Sequence, residues 1–332
     1  MKNTHRARII GLGSYLPDRI LTNQELEKMV ETSDDWIVSR TGMRERRLAS
    51  ENEYPSDMGT QAALRALQES NINAKQIDLI LVATMSPDYL SPSTANLIQA
   101  NIEANHAAAM DLQAACTGFL YGLSTAKAFV DSGIYRNVLV VATEKMSAFV
   151  DYQDRATCVL FGDGAAAAVV SNQGEGLAID TICLGADGNL SDLLMIPAGG
   201  SRNIASEATL NSRLHYFRME GKEVFKHAVK CMSAAAHECL EKAQLQVSDI
   251  SWLVPHQANK RIIDVMAKNF NFPEEQVFIT VHKYGNTSSS GIAIALHELL
   301  QEQLVEQGDH LLLAAFGGGL TWGAAILTKV VE

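Results

Sequence analysis

Residues 107–130, AAAMDLQAACTGFLYGLSTAKAFV, run from an apolar strand through a cysteine into a helix. Cys116 stands at the junction, where the first N–H groups of a helix lack partners and the helix dipole is positive. Both effects favour thiolate over thiol, and thiolate is the nucleophilic form. The small residues of AACTG leave room for a substrate to approach. A single cysteine in apolar surroundings is ordinarily a packing residue, so the decision rests on what lies elsewhere in the chain.

The same layout occurs twice. QIDLILVAT (76–84), Cys116 and NVLVVATE (137–144) are matched by DISWLVPH (249–256), GNTSSSGIAIAL (285–296) and HLLLAAFGGG (310–319). One offset of 172 residues carries Thr84 to His256, Cys116 to Ser288 and Val140 to Leu312, which predicts a duplicated α/β unit. Continuously apolar strands alternating with amphipathic helices predict buried sheets covered by helices. The polar, glycine-bearing Asn172–Gly176 is suited to join the halves, placing them at 1–175 and 176–332. Near the start, Thr22 and Glu25 form a capping-box pattern that predicts a helix containing Leu26 and Met29.

Bulk properties narrow the function. The chain has 332 residues, 47% of them hydrophobic, and a net charge of -11, which argues against a nucleic-acid binder. No apolar run reaches membrane-spanning length, and MKNTHRARIIGLG lacks the apolar core of a signal peptide, so a cytoplasmic protein is expected. Cys116, Cys158, Cys183, Cys231 and Cys239 are widely scattered without a CxxC pair, as in a reduced protein. His237-Glu238 and His297-Glu298 lack the second histidine of HExxH, and neither a GxSxG elbow nor a P-loop lysine motif is present. The glycines of GLGSYLP do not complete GxGxxG.

His256 ends the strand SWLVP within VPHQANKRI, and Asn286 precedes the second-half helix within HKYGNTSSSG. Taken singly, the first reads as a strand-end histidine and the second as a turn or cap residue. The duplication puts both at the same end of their connections as Cys116, so pseudo-twofold packing can gather all three around one pocket.

AACTGF, VPHQAN, HKYGNTSSS and AFGGGLTWG, together with GSYLP, TSDDWIVSRTGMRERR and LFGDGAAAAV, cover essentially the whole chain. In this order they resemble the motifs of the thiolase superfamily and, more narrowly, bacterial β-ketoacyl-acyl carrier protein synthase III. The resemblance implies a thiolase-like α/β fold, two βαβαβαββ halves layered α/β/α/β/α. It implies a homodimer that condenses an acyl-CoA, acetyl-CoA being the expected starter, with malonyl-acyl carrier protein, without metal or redox cofactor. Cys116, His256 and Asn286 are then catalytic, with the backbone N–H groups of Cys116 and Gly318 as oxyanion hole. Trp36 and Arg40 would flank the coenzyme A adenine, Arg155 and Arg261 would meet phosphates, and Phe161 and Phe316 would lie near the active site.

Lys222, Lys226 and Lys230 recur every fourth residue of a predicted helix, and Lys260, Arg261 and Lys268 follow His256. Such a local reversal of sign suits the strongly acidic carrier protein; an ordinary solvated lysine face is the alternative. Ser91 stands where the enteric member of the family carries phenylalanine, at the acyl pocket across the dimer interface, which opens the starter to longer or branched chains. A related condensing or acyl-transfer enzyme of secondary metabolism uses the same triad with a different starter or acceptor. A non-catalytic carrier-protein binder would not need the triad, and a thioesterase would release free acid.

Overall fold

The computed structural model describes residues 6–331. Nine strands form the main sheet: Arg8–Tyr15 (β1), Leu79–Ala83 (β2), Ala108–Leu112 (β3), Asn137–Glu144 (β4), Gly164–Ser171 (β5), Gly176–Ala186 (β6), Ile250–Pro255 (β7), His310–Gly317 (β8) and Thr321–Val330 (β9). Their order is β7-β8-β9-β6-β1-β5-β4-β2-β3. The two halves meet where β1 pairs with β6 through Arg8–Ala178 and Ile9–Leu177. The principal helices are Asp34–Thr41 (α1), Pro55–Ser70 (α2), Thr94–Asn101 (α3), Gly118–Asp131 (α4), Gly221–Ala243 (α5), Lys260–Asn269 (α6) and Gly291–Gln301 (α7).

Strand alternation sorts the core into three layers of apolar packing. Leu81 and Val140 from the first half and Val254, Leu311 and Leu313 from the second surround Phe119 and Leu123 of α4 and Ile292 and Leu296 of α7. The intervening residues point the other way: Ile80, Leu139 and Val141 pack on Met58, Ala62 and Ala66 of α2. On the far side, Leu253, Leu312 and Ala314 pack on Met232, Ala236 and Leu240 of α5. Helices α4 and α7 are therefore a central layer between two halves of the sheet, giving the α/β/α/β/α arrangement. Among the described residues, no helix is long and apolar enough to cross a membrane.

The layers correct the repeat by one residue. Val140 faces the central layer but Leu312 faces outward, whereas Leu313 faces the centre. Because strand side chains alternate, a one-residue slip exchanges the two faces. The structural offset is 173: Leu81 matches Val254, Val140 matches Leu313, and α4 and α7 both begin on a glycine, Gly118 and Gly291. Cys116 then matches Ser289, not Ser288. The capping box at Thr22 and Glu25 forms, but its helix ends at Leu26 and leaves Met29 outside.

The early glycines have a packing role. A Cβ at Gly13 would fall on the Ala62 carbonyl oxygen and the Ala66 amide nitrogen, and one at Gly11 would lie 2.5 Å from the Ala66 carbonyl oxygen. Their absence lets α2 lie directly on β1. Gly13→Ala is expected to destabilise the protein by about 1–3 kcal/mol through overpacking, read as a lower urea midpoint at unchanged slope.

Candidate active site

Cys116 follows β3 in a short turn, Ala115–Thr117, that leads straight into α4. Ala115 takes the left-handed conformation (φ +45°), which swings the chain sharply before the cysteine. Thr117 fastens the turn, its hydroxyl donating to the Ala114 carbonyl at 2.6 Å and accepting from Thr321 Oγ1 at 2.7 Å. The end of β8 presses on the same turn, where a Cβ at Gly317 would lie 2.7 Å from the Cys116 amide nitrogen. Gly318 comes next, its missing Cβ 3.7 Å from that of Ala115.

His256 directly follows β7, and its amide donates to the Ala314 carbonyl at 2.8 Å. The buried Gln257 side chain accepts from the amides of Thr280 and Val281 at 2.8 and 3.1 Å, tying the histidine loop to the segment that leads to Asn286. Asn286 donates its amide to Leu160 at 2.8 Å. Its Oδ1 accepts from the Ser288 amide at 2.9 Å. An N–H can only donate, so the oxygen is occupied and the Asn286 NH2 is the group left for a ligand.

Cys116, His256 and Asn286 are each at least 94% buried and line one pocket, with Phe161, Phe316, Phe217 and Leu194 around them. The sequence-expected three are thus brought together. Phe161 meets Phe217 edge-on at 5.2 Å. The electrostatics differ from the helix-dipole expectation for the thiol. Burial pushes Cys116 up to about 12, the Ser288 hydrogen bond opposes this only in part, and nearby Glu144 adds to the rise. Burial lowers His256 to about 4, so its imidazole is neutral at physiological pH.

A more open hollow adjoins the pocket, sharing Leu160, Met219, Gly221, Phe225 and Asn259, and is bordered by Trp36, Arg40, Lys222, Lys226 and Arg261. The cation over the Trp36 indole is Arg155, at 4.9 Å, rather than Arg40, which lies on the rim of the hollow. Arg261 covers Phe225 at 5.6 Å. Lys226 is paired with Glu223 and Lys260 with Asp264, each at 2.7 Å, while Lys260 and Lys268 border a separate groove. Ser91 does not line the pocket of its own chain; it lies on an exposed loop beside Tyr89 and Leu90.

Sequence reasoning missed Glu144 and gave Ser288 no chemical role. Glu144 is completely buried at the end of β4 and accepts from Ser86, Ser288 and Ser289. The available signal was a carboxylate closing the otherwise apolar run NVLVVAT.

This pocket, set where two duplicated strand-to-helix turns meet, defines a condensing acyltransferase of thiolase-like fold. The family described as "3-Oxoacyl-[acyl-carrier-protein (ACP)] synthase III" matches residues 110–188, and its C-terminal counterpart matches 240–329. The beta-ketoacyl-[acyl-carrier-protein] synthase III of Chlamydia caviae is 54% identical over 331 residues, covering 99% of each chain. The crystal structure of 3-oxoacyl-[acyl-carrier-protein] synthase III from Aquifex aeolicus superposes with a TM-score of 0.89 at 47% identity, covering 97% of this chain and 100% of that one. The priming β-ketosynthase of the R1128 polyketide biosynthetic pathway gives 0.90 at 37% identity, covering 99% and 98%. The chain belongs to the β-ketoacyl-[acyl-carrier-protein] synthase III family.

Because burial alone lowers His256, its ring is expected to remain neutral as pH falls through 6.5 and to protonate only near 4. In the unfolded chain it protonates near 6.5, so the contribution to stability is complete above 6.5 and is lost as pH falls toward 4. Carbon-detected NMR of isotope-labelled histidine checks this; a ring titrating near 6.5 would contradict it.

Proposed function

We propose that Cys116 carries the acyl group through the condensation of an acyl-CoA, acetyl-CoA foremost, with malonyl-acyl carrier protein. The products are 3-oxoacyl-acyl carrier protein, coenzyme A and carbon dioxide, and the reaction initiates fatty-acid synthesis. The convergence of Cys116, His256 and Asn286 on one pocket carries this reading. In the first half-reaction the sulfur attacks the thioester carbonyl, whose developing charge meets the backbone N–H groups of Cys116 and Gly318, and coenzyme A leaves. In the second, the malonyl thioester loses carbon dioxide. The enolate oxygen accepts from neutral His256 and the Asn286 NH2, the enolate carbon attacks the acyl-cysteine, and the Cys116 sulfur leaves as thiolate and takes a proton supplied by solvent. The steps carry the acyl group from one sulfur to another and then to carbon, and call for neither metal nor redox cofactor.

The hollow between Trp36 and Arg261 suits a nucleotide and a phosphopantetheine arm. Arg155 on the Trp36 indole marks a cationic, planar surface where an adenine can stack, and Arg40 and Arg261 suit phosphates. Lys222, Lys226, Lys260, Arg261 and Lys268 offer an acidic carrier protein a positive approach, and Lys222, Lys226 and Arg261 on the rim of the hollow form its centre.

A homodimer is supported by the free edge of the sheet. Among the described residues strand β3 pairs only with β2, its Met110 is exposed, and Tyr89 and Leu90 nearby are 60% and 92% exposed. An unpaired edge beside such apolar side chains favours pairing with a second copy. A cytoplasmic location fits the free cysteines. The likeness to a priming ketosynthase keeps a secondary-metabolic starter as the second reading.

Acyl-CoA treatment followed by peptide mass spectrometry is expected to show one adduct, on Cys116; an adduct confined to another cysteine would refute the assignment. His256→Ala and Asn286→Ala should each reduce malonyl decarboxylation by about 10²–10³-fold while leaving Cys116 acylation much less affected. Equal losses in both half-reactions would remove the enolate role. Ser91→Phe should lower kcat/KM for butyryl-CoA more than for acetyl-CoA, since each buried methylene is worth about 0.8 kcal/mol. An unchanged chain-length profile would place the pocket wall elsewhere.

A further inference from the structure

The Cys116 thiol has one hydrogen-bond partner among the described residues, and it is not His256. Its Sγ donates to Ser288 Oγ at 3.5 Å, and Ser288 Oγ donates to Glu144 Oε1 at 3.0 Å. Glu144 is completely buried, no cation pairs with it among the described residues, and the condensation steps above leave it unused. A buried carboxylate without a counter-ion is costly unless donors surround it, and here they are divided unevenly between its oxygens.

Oε2 receives the Met85 and Ser86 amides, each at 3.1 Å, the Ser86 hydroxyl at 2.5 Å and the Thr84 hydroxyl at 3.2 Å. Two of these donors are backbone N–H groups that cannot turn around. The Ser86 hydroxyl is fixed as well, because its oxygen already accepts the Lys145 amide at 2.9 Å. Oε2 is thereby saturated with donors that stabilise the carboxylate, yet burial outweighs them and holds Glu144 above the usual carboxylate range. Oε1 receives the Ser288 and Ser289 hydroxyls at 3.0 and 2.9 Å and a longer share of the Met85 amide at 3.3 Å, and the Ser288 hydroxyl touches the reacting sulfur. It is the oxygen on which a proton can land.

Resting on Cys116 as the nucleophile, we propose that Glu144, acting through the Ser288 hydroxyl, takes the proton that Cys116 loses when it attacks. As the Sγ–carbon bond forms, the thiol proton moves to Ser288 Oγ and the Ser288 proton moves to Glu144 Oε1. When the bond to the coenzyme A sulfur breaks, that sulfur takes a proton back from Ser288 Oγ, which is resupplied from Glu144. The net change is transfer of the acyl group and one proton. A thiolate formed without this relay would sit beside an ionised carboxylate, two like charges in one buried site; the relay keeps the site at one. Burial lowers His256 and raises Glu144, which favours the carboxylate over the imidazole as the base for the buried thiol.

The other titratable groups on the surrounding elements are engaged or lie apart. Asp163, beside Gly164 on β5, holds the Ala49 amide and Ser147. The Lys145 ammonium is bound by the carbonyls of Ser50, Glu51 and Glu53. His256 lies across the pocket. Glu144 is a positioning residue, since it acts through Ser288.

The test is the pH dependence of Cys116 alkylation by iodoacetamide in the full chain, with the adduct mapped by mass spectrometry. Shifting one proton within the relay does not change the protonation of the site, so the parent rate should vary by less than about twofold between about pH 7 and 9. Glu144→Gln and Ser288→Ala should each be at least about 10-fold slower at pH 7 and should accelerate about 10-fold per pH unit. Gln can keep its oxygen toward the Met85 and Ser86 amides and turn its NH2 to Ser288 and Ser289. Ala at 288, with φ of +52°, adopts what Ala115 already adopts, so the second variant carries the test if the first fails to fold. Flat profiles in both variants would overturn the relay. So would a faster Glu144→Gln at neutral pH, the result expected if Glu144 acts on the thiol through its charge alone. An adduct confined to another cysteine in the parent would instead overturn Cys116 as nucleophile.

Discussion

The site depends on the abutment of two helix starts. Helices α4 and α7 begin against one another in the central layer, and the contact is close because small residues meet there. A Cβ on Gly118 would lie 2.9 Å from that of Ala83 and 3.3 Å from that of Ser289. This approach brings the Cys116 turn within reach of Ser288, and with it the Asn286 loop and the end of β4. Each half alone holds an ordinary strand-to-helix turn. The chemistry arises from pressing the two together in a volume that excludes water, where hydrogen bonds to a few fixed donors decide which atoms bear charge.

Much of this was legible in the sequence because it was written twice. The continuous apolar runs of β2, β4, β7 and β8 identify buried strands, and their recurrence identifies a duplicated layered fold. Cys116, His256 and Asn286 stand out because each ends such a run or opens the helix beyond it. The exact spacing was not legible: in strands buried on both faces, neighbouring residues are equally apolar, so 172 and 173 read alike. Only the packing of Leu312 on α5 and Leu313 on the central helices separates them.

The electrostatics were less legible still. A cysteine at a helix start suggests a low thiol pKa, whereas the enclosure of Cys116 and the nearby Glu144 push the thiol up. Arg155 and Trp36 lie far apart in sequence, and their stacking depends on α1 meeting the segment after Asp154. Glu144 could not have been assigned, because its donors come from Thr84–Ser86 and Ser288–Ser289, two segments unrelated in sequence.

The 173-residue correspondence also pairs Cys116 with Ser289 and Gly317 with Glu144. Duplication of one unit supplies two equivalent junctions. In one, a bare glycine lets the strand end press on the turn that bears sulfur; in the other, a carboxyl side chain reaches the turn that bears a hydroxyl. The two junctions are unlike: the glycine brings two backbone segments together, and the carboxylate gathers hydroxyl and amide donors. One unit therefore bears the sulfur, and the other supplies part of its surroundings.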